Sequence, residues 1–239
     1  VPPFISGTVT PLDMSTLGDA FGESEGDDHY NSVVDVGPTD DTSRTGVPIT
    51  DNDINFEDLM VFSLNFGVVS PTNKSDIVIS SQADLSWVRY GEGSFGLRLV
   101  EATGLKGVHL RASLPEGASV TVTAGSLLDE QNEMTFLRNV GENLDVNLAV
   151  MGVNNGFVGQ GDLFLVESTV ELTLDDITID LRGSDNSDME VNLGTDSGTL
   201  TPRVFSLNAA YPNPFNPMTK ISFSLPEAQS VRLNVYGLD

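Results

Sequence analysis

The 239-residue chain carries 35 Asp+Glu against 11 Lys+Arg, a formal net charge of −24, and it has no cysteine. This acidity argues against nucleic acid or anionic lipid as a partner, because both require a basic surface. The missing cysteines exclude disulfides and thiolate metal sites. No apolar run reaches the roughly 18 residues needed to insert in a membrane, and the 39% hydrophobic content favours a folded chain.

Residues 1–17, VPPFISGTVTPLDMSTL, predict an extended N-terminal arm. The prolines oppose an early helix start, and Phe4-Ile5 and Thr8-Val9-Thr10 favour a strand. Two alternatives stay open: a frayed terminus, or a strand that docks on another element or another subunit. Val1-Pro2-Pro3 is typical of a mature or trimmed N-terminus rather than of a signal peptide.

Residues 18–69 form an acidic segment with two related halves, residues 18–37 and 39–67. Residues 1–69 hold 13 Asp+Glu and one basic residue, Arg44, so this block repels itself unless something neutralises it. The pattern after Ile54 predicts an amphipathic helix from Phe56 to about Asn65, with Gly67 as its stop. The acids before it have two readings: solvation of a helix N-terminus, or oxygen ligands for a metal ion.

The second half resembles a dockerin repeat, whose calcium loop reads D-x-N-x-D-G-x-I-N-x-x-D-L. The matching residues are Asp51, Ile54, Asn55, Asp58 and Leu59. Asn52 replaces the usual Gly, and Val47 and Ile49 stand where side-chain ligands are expected. We therefore expect a longer loop into which Asp40 and Asp41 enter from upstream, with Asp53 as a further ligand.

The first half matches the same repeat more loosely, with Tyr30 in the position of Ile54. The resemblance implies Ca2+ bound by both halves, through Asp19, Asp27, Asp28, Asn31, Asp35, Asp40, Asp41, Asp51, Asp53, Asn55 and Asp58. For each half the alternative is a solvated acidic turn without metal.

Residues 70–74 predict a linker, and residues 75–198 change to about nine short strands separated by Gly, Asn and Asp. Short strands at regular spacing predict a β-sandwich. The predicted strands are DIVISSQ, ADLSWVRY, FGLRLVEA, GVHLRASL, SVTVTA, LDVNLAVM, DLFLVES, VELTLDDITIDL and MEVNLG.

This block resembles a cohesin domain, the jelly-roll sandwich that binds dockerins. Four stretches carry the resemblance: GLKGVHLRASLPEG, the loop AGSLLDEQ, LAVMGVNNGFVGQGDLFLVE and TIDLRGSDN. The implied fold class is mainly β: a jelly-roll or Ig-like β-sandwich with a small helical, calcium-loop module at its N-terminal side.

Residues 199–239 predict the start of another unit. YPNPFNPMTKISFSLPEAQSVRLNVYGLD, residues 211–239, resembles the beginning of the C-terminal sorting domain used by type IX secretion. KISFSL and SVRLNVY alternate as two strands, but two strands cannot bury a core alone. The unit therefore needs further strands or a partner.

The sequence predicts no enzyme. His29 and His109 fall in different modules, and the glycines of GEGSFG and GFVGQGD lack the strand-to-helix context of a nucleophile or dinucleotide loop. A carbohydrate-binding sandwich that uses Trp87 or Tyr90 against surface glycans is a weaker alternative.

Dockerins and cohesins are complementary partners, and both resemblances lie on one chain. The two modules either dock within the chain or each docks on the next copy, which would propagate into a fibre or tube. We therefore predict a secreted, non-catalytic, calcium-binding protein of the bacterial cell surface, whose partner is itself or another dockerin- or cohesin-bearing protein. Strand addition by the terminal segments would supply further joints. The alternative is a scaffold or adhesion module for a dockerin on a different protein.

Overall fold

The computed structural model describes residues 8–38, 49–68, 79–130 and 133–197, together with residues 206–207, 223–224 and 230–232. The chain divides into two compact units, Val1–Ser197 and Gly198–Asp239. The predicted linker, residues 70–74, lies outside the described residues.

The first unit is built mainly from strands, as predicted. They are β1 (Gln82–Gly91), β2 (Ser94–Glu101), β3 (Leu105–Ala112), β4 (Val120–Ala124), β5 (Thr135–Asn139), β6 (Leu144–Val150), β7 (Gly161–Ser168), β8 (Thr178–Gly183) and β9 (Asp188–Ser197). Their order in the sheet is β4-β7-β2-β1-β9-β8-β3-β6-β5.

Strand β9 belongs to both layers of a sandwich. Asp188 and Met189 pair antiparallel with β8, whereas from Glu190 onward the strand runs parallel to β1. The inward side chains of both layers form one core, in which Trp87 stacks on Phe95 with ring centroids 5.5 Å apart. The prediction of a mainly β sandwich is confirmed.

Four local predictions in the sandwich were wrong. The sequence did not indicate strand β5, and VELTL is not a strand but leads into a 3-10 turn at Leu174–Asp176. DIVISSQ is not a strand at its described residues 79–81, and the loop AGSLLDEQ contains the short helix α3 (Ser126–Glu130). Each case is a short segment, where a few residues of alternation carry little information and neighbouring strands decide the conformation.

Among the described residues, two helices precede the sandwich: α1 (Pro11–Ala20) and α2 (Phe56–Asn65). Helix α2 has the predicted limits. The prediction of an extended arm over residues 1–17 is wrong from Pro11 onward, because a helix begins there. Proline is tolerated at the first helical position, and Asp13 accepts hydrogen bonds from both the amide and the hydroxyl of Thr10, at 2.8 and 2.6 Å.

In the second unit the structure describes two short strands, β10 (Ser206–Leu207) and β11 (Phe223–Ser224), which pair antiparallel. Strand β11 lies within the predicted strand KISFSL, while most of SVRLNVY lies outside the described residues. The resemblance to a sorting domain stays a prediction. Across the described parts of the chain, no helix is long and apolar enough to cross a membrane.

Candidate functional site: the docking face and the acidic loops

The outer surface of strands β8, β3, β6 and β5, here called the docking face, is covered by the chain itself. Alternation along these strands sends Val108, Leu110, Val146 and Leu148 into the sandwich core. The outward side of the same strands carries Gly107, His109 and Arg111 on β3, Asp145, Asn147 and Ala149 on β6, Asp180 and Arg182 on β8, and Phe136 and Arg138 on β5.

Residues 8–38 and 49–68, here called the helical segment, pack against this face. Helix and loop residues share one buried apolar cluster with Ala149 of β6 and Met151 just after it, both nearly inaccessible to solvent. Phe21 meets Phe136 of β5 with ring centroids 5.0 Å apart. The cluster members from the helical segment are Val9, Met14, Leu17, Ala20, Phe21, Val34, Val36, Ile54, Phe56, Leu59, Met60 and Phe62. Removing this apolar surface from water is the main stabilising term of the contact.

The C-terminal end of α2 is held by a loop of the sandwich. The carbonyl of Ser63, one of the helix-terminal acceptors without an intrahelical donor, accepts the Gly152 amide at 3.0 Å. The same loop is anchored from inside by Lys106, whose Nζ donates to the carbonyls of Gly152 and Asn155 at 2.6 and 3.1 Å. Lys106 is fully buried, and burial lowers the pKa of its amine to about 7.

Opposite charges meet at the rim of the contact. Residues 8–38 and 49–68 contain acids but no lysine or arginine, whereas the docking face carries three arginines together with Asp145 and Asp180. Arg182 Nη2 lies 2.7 Å from Glu57 Oε1. His109 stacks near Phe56, with ring centroids 5.1 Å apart, and its Nε2 lies 2.9 Å from Asp145 Oδ1. Burial works to raise the pKa of Asp145, but hydrogen bonds from His109 and Asn147 outweigh it and leave that pKa lowered.

The two acidic halves pair with each other. The Gly22 amide donates to the Ile54 carbonyl at 2.8 Å, the Ile54 amide donates to Glu23 at 2.9 Å, and Ser24 and Asp53 form an antiparallel bridge. Asn52 adopts a left-handed conformation, with φ of 68°, at the position where the dockerin pattern has glycine. The internal repeat recognised in the sequence is thus a pair of facing loops.

Asp58 joins these loops to helix α2. One carboxylate oxygen accepts the amides of Val36 and Gly37 at 2.6 and 2.7 Å, and the other accepts the Asn55 amide at 2.8 Å. The side chain is fully buried. Burial raises the pKa of Asp58 to about 6, although the three amides act in the opposite direction. Asp58 therefore hydrogen-bonds the N-cap residue Asn55 of α2 and also binds the loop of Val36 and Gly37 to the start of this helix.

Asp35 is the second buried carboxylate of this region. Its Oδ2 accepts the Tyr30 hydroxyl at 2.6 Å and the Asn52 amide at 3.1 Å, while its buried Oδ1 has no hydrogen-bond donor among the residues that the structure describes. The hydrogen bond to Asp35, then burial and the surrounding negative charge, raise the pKa of Tyr30 to about 12. A buried carboxylate oxygen with no donor is an atom that a cation would satisfy.

The other predicted ligands are spread out. Asp19, on α1, and Asp28 are exposed, as is Asp53. Local amides already bind Asp27 (from Ser24), Asn31 (from Val33), Asp51 (from Asp53) and Asn55 (from Glu57). Asp40 and Asp41 lie outside the described residues. Within the residues that the structure describes, no three acidic or histidine side chains converge as a metal ion requires. The described residues thus supply one free buried oxygen, not a complete calcium cage.

The surroundings of the residues considered for catalysis or sugar binding do not favour either role. His29 is exposed in a loop, and His109 belongs to the docking contact described above. Trp87 is only 3% exposed, so its ring is not available to stack on a sugar. Tyr90 donates its hydroxyl to Asp162 Oδ1 at 2.6 Å and accepts Arg98 Nη2 at 2.7 Å, which ties β1, β2 and β7 together.

The Glu57–Arg182 ion pair gives a first testable expectation. Both side chains are largely shielded, so a double-mutant cycle of Glu57→Gln and Arg182→Gln is expected to give a coupling energy of about 0.5–1 kcal/mol that shrinks in high salt. The measurement is urea unfolding combined with hydrogen exchange of α2. Arg89→Gln is the control: it breaks the exposed Arg89–Glu171 pair and should leave α2 protection unchanged. Additive single effects would contradict a contribution of this pair to docking.

The docking face was not identified from the sequence. One signal was present: LAVM at the end of β6 places Ala149 and Met151 on the side that should be wet. A strand that is apolar on both sides is covered on both sides.

Comparisons with known proteins find cohesin structures at a low level of similarity. No protein-family model and no curated protein matches the chain. Solved structures that resemble it include a non-cellulosomal cohesin from the archaeon Archaeoglobus fulgidus, with 20% identity, a TM-score of 0.32, and coverage of 48% of this chain and 85% of that chain.

Two further solved structures come from cohesin–dockerin complexes. A chain of a type I complex from Clostridium thermocellum has 12% identity and a TM-score of 0.34, covering 53% of this chain and 99% of that chain. One from Acetivibrio cellulolyticus, with the sixth cohesin of scaffoldin B, has 9% identity and a TM-score of 0.30, covering 50% and 99%. Since these values are low, the functional assignment below rests on contacts within this chain.

Proposed function

We propose that this chain is a secreted, non-catalytic structural protein that mediates protein–protein assembly at the bacterial cell surface. The observation that carries the proposal is the contact between the helical segment and the docking face. It combines a buried apolar cluster, the Ser63–Gly152 backbone hydrogen bond and the Glu57–Arg182 ion pair. The chain thus holds both halves of a complementary interface.

Assembly follows from making this contact between copies. If the helical segment of one chain occupies the docking face of the next, each chain uses two different surfaces, and such a heterologous contact propagates into a fibre or tube unless it closes. The contact within one chain and the contact between chains are then alternatives. Protein concentration favours the second.

Calcium binding is the second part of the proposal. A bound Ca2+ would neutralise part of the crowded negative charge. Asp35 supports this because its buried Oδ1 has no donor, and the Asp35 side chain meets Asn52 of the opposite half. Asp40 and Asp41, at the start of the second half, would complete the ligand set.

The alternatives have less support. A dockerin carried by another protein would have to displace the chain's own segment from the docking face. Sugar stacking on Trp87 would require a buried ring to become exposed.

Light scattering and negative-stain microscopy of the full chain, first with calcium and then with a chelator, test the proposal. We expect long polymers in calcium that dissociate or soften in chelator. Asp35→Asn should raise the calcium concentration needed for assembly by about tenfold or more, which corresponds to ~1.4 kcal/mol of lost binding. Glu142→Gln, an equal charge change at an exposed loop of the sandwich, is the control. A chain that stays monomeric at high concentration in saturating calcium would overturn the assembly function.

A further inference from the structure

Where α2 crosses β3, the docking face has no side chain because the outward residue is Gly107. A Cβ atom at this position would overlap Met60 Sδ and lie 3.0 Å from Phe56 Cζ. The helix can reach the sheet at this point only because β3 has no side chain there. Phe56 and Met60 are one helical turn apart, so both fall on the side of α2 that faces Gly107.

The gap that Gly107 leaves for Phe56 and Met60 is here called the Gly107 socket. Polar groups surround it and orient the helix. His109, the next outward residue on β3, lies against the Phe56 ring. Arg182, on neighbouring β8, binds Glu57, the residue after Phe56. At the far end of α2, the Gly152 amide binds the Ser63 carbonyl. Together these contacts determine which helix face lies on the sheet and how far along the sheet the helix sits.

We infer that the Gly107 socket is a specificity-determining site, which recognises a helix with phenylalanine, glutamate in the next position and methionine one turn later, and that its occupant in trans is the helical segment of a second copy of this chain. The inference rests on the assembly function proposed above and specifies its partner. The pattern required is the one that Phe56, Glu57 and Met60 provide.

Two physical reasons favour a second copy over a foreign helix. The chain's own segment is covalently linked and so has a high effective concentration at the socket, against which a foreign helix must compete. Exchange with a second copy instead replaces each lost contact by an identical one, which is the reason that swapping identical elements is a low-cost route to oligomers. Charge complementarity supports the same occupant at one point, where Arg182 of the face pairs with Glu57 of the acidic helical segment.

The first experiment tests the socket within the full chain. Gly107→Leu fills the socket, and Met60→Ala removes the side chain that occupies it. Each single variant should lower hydrogen-exchange protection of the α2 amides at least about tenfold while the strands stay protected, and the double variant should recover most of the loss. Met189→Ala, which shortens a buried methionine of the sandwich core, is the control and should not rescue Gly107→Leu. If Gly107→Leu does not fold, Gly107→Ala replaces it in this experiment, because the added methyl group displaces chiefly the flexible end of Met60.

The second experiment tests the partner by mixing the two single variants. The filled socket of Gly107→Leu should accept the shortened helix of Met60→Ala, and the unchanged socket of Met60→Ala should accept the unchanged helix. We expect a 1:1 complex by size-exclusion chromatography with light scattering, at concentrations where each variant alone does not associate. Mixing either variant with the Met189→Ala chain should give less complex.

The outcomes separate this inference from the proposed function. No rescue in the double variant overturns the socket, and rescue without association on mixing overturns the second copy as its partner. If the wild type forms polymers but the mixed variants do not associate, assembly stands and uses another contact. If the mixed variants form a complex but the wild type never polymerises, the socket and its partner are supported and assembly into a fibre or tube is overturned.

Discussion

Replacing Asp58 by alanine is expected to destabilise the helical segment by about 2–4 kcal/mol, because two buried backbone amides and one part-buried amide lose their acceptor at once. The amides belong to Val36, Gly37 and Asn55, and their bonds to Asp58 are between 2.6 and 2.8 Å long. Asp58→Asn should cost less than alanine. Its amide group keeps one oxygen acceptor but turns a donor toward one of the three N–H groups.

Urea unfolding and hydrogen exchange in chelator measure this effect without any contribution from a bound cation. Asp53→Asn is the matched control, since it removes an exposed acid from the same acidic segment. The amides of residues 36, 37 and 55 should lose protection in Asp58→Ala and keep it in Asp53→Asn. Equal stabilities of the two variants would contradict the role assigned to Asp58.

The second large effect concerns the pH dependence that Lys106 imposes on folding. The ordinary lysine pKa is 10.5, and burial lowers that of Lys106 to about 7. Between these values the unfolded chain holds a proton on this amine that the folded chain has released, so stability rises with pH across this window. A neutral amine has two N–H donors, which match the carbonyls of Gly152 and Asn155. The expected slope is at most about 1.4 kcal/mol per pH unit.

The difference in unfolding free energy between the wild type and Lys106→Met, measured by urea unfolding at several pH values, isolates this slope. This difference should be nearly constant at pH values below the pKa of Lys106 in the folded chain. Above that pKa it should grow in favour of the wild type. Arg111→Met is the control, because it removes a half-exposed charge from the same strand and should leave the pH profile parallel to that of the wild type. Parallel curves for Lys106→Met would show that Lys106 stays charged in the folded chain.

Features that depend on neighbouring residues in the chain were predictable from the sequence. Helix α2 begins and ends where its apolar face and Gly67 indicated. Asn52 adopts the left-handed conformation that its place in the repeat required. Most strands of the sandwich follow from alternation between turn residues. In all of these the signal lies within about ten residues of the feature.

Predictions failed where local signals were weak or shared between two structures. The prolines and β-branched residues before α1 favour an extended arm, yet Pro11 fits the first position of a helix, where Asp13 accepts the amide of the N-cap residue Thr10. Strand β5 shows no clear alternation, because the adjacent residues Phe136 and Leu137 are both apolar and pack on opposite sides, and its pairing with β6 decides its conformation.

The acidic residues show the same division most clearly. The sequence by itself determined that negative charge is concentrated before α2 and that two related halves carry it. Only the tertiary structure decided that Asp58 serves backbone amides, that Asp35 keeps one buried oxygen without a donor, and that the helical segment lies on its own sandwich. The docking face, the Gly107 socket and the burial of Lys106 depend on contacts between residues far apart in the chain. Alternation within one strand predicts which side chains point outward, but not what covers them.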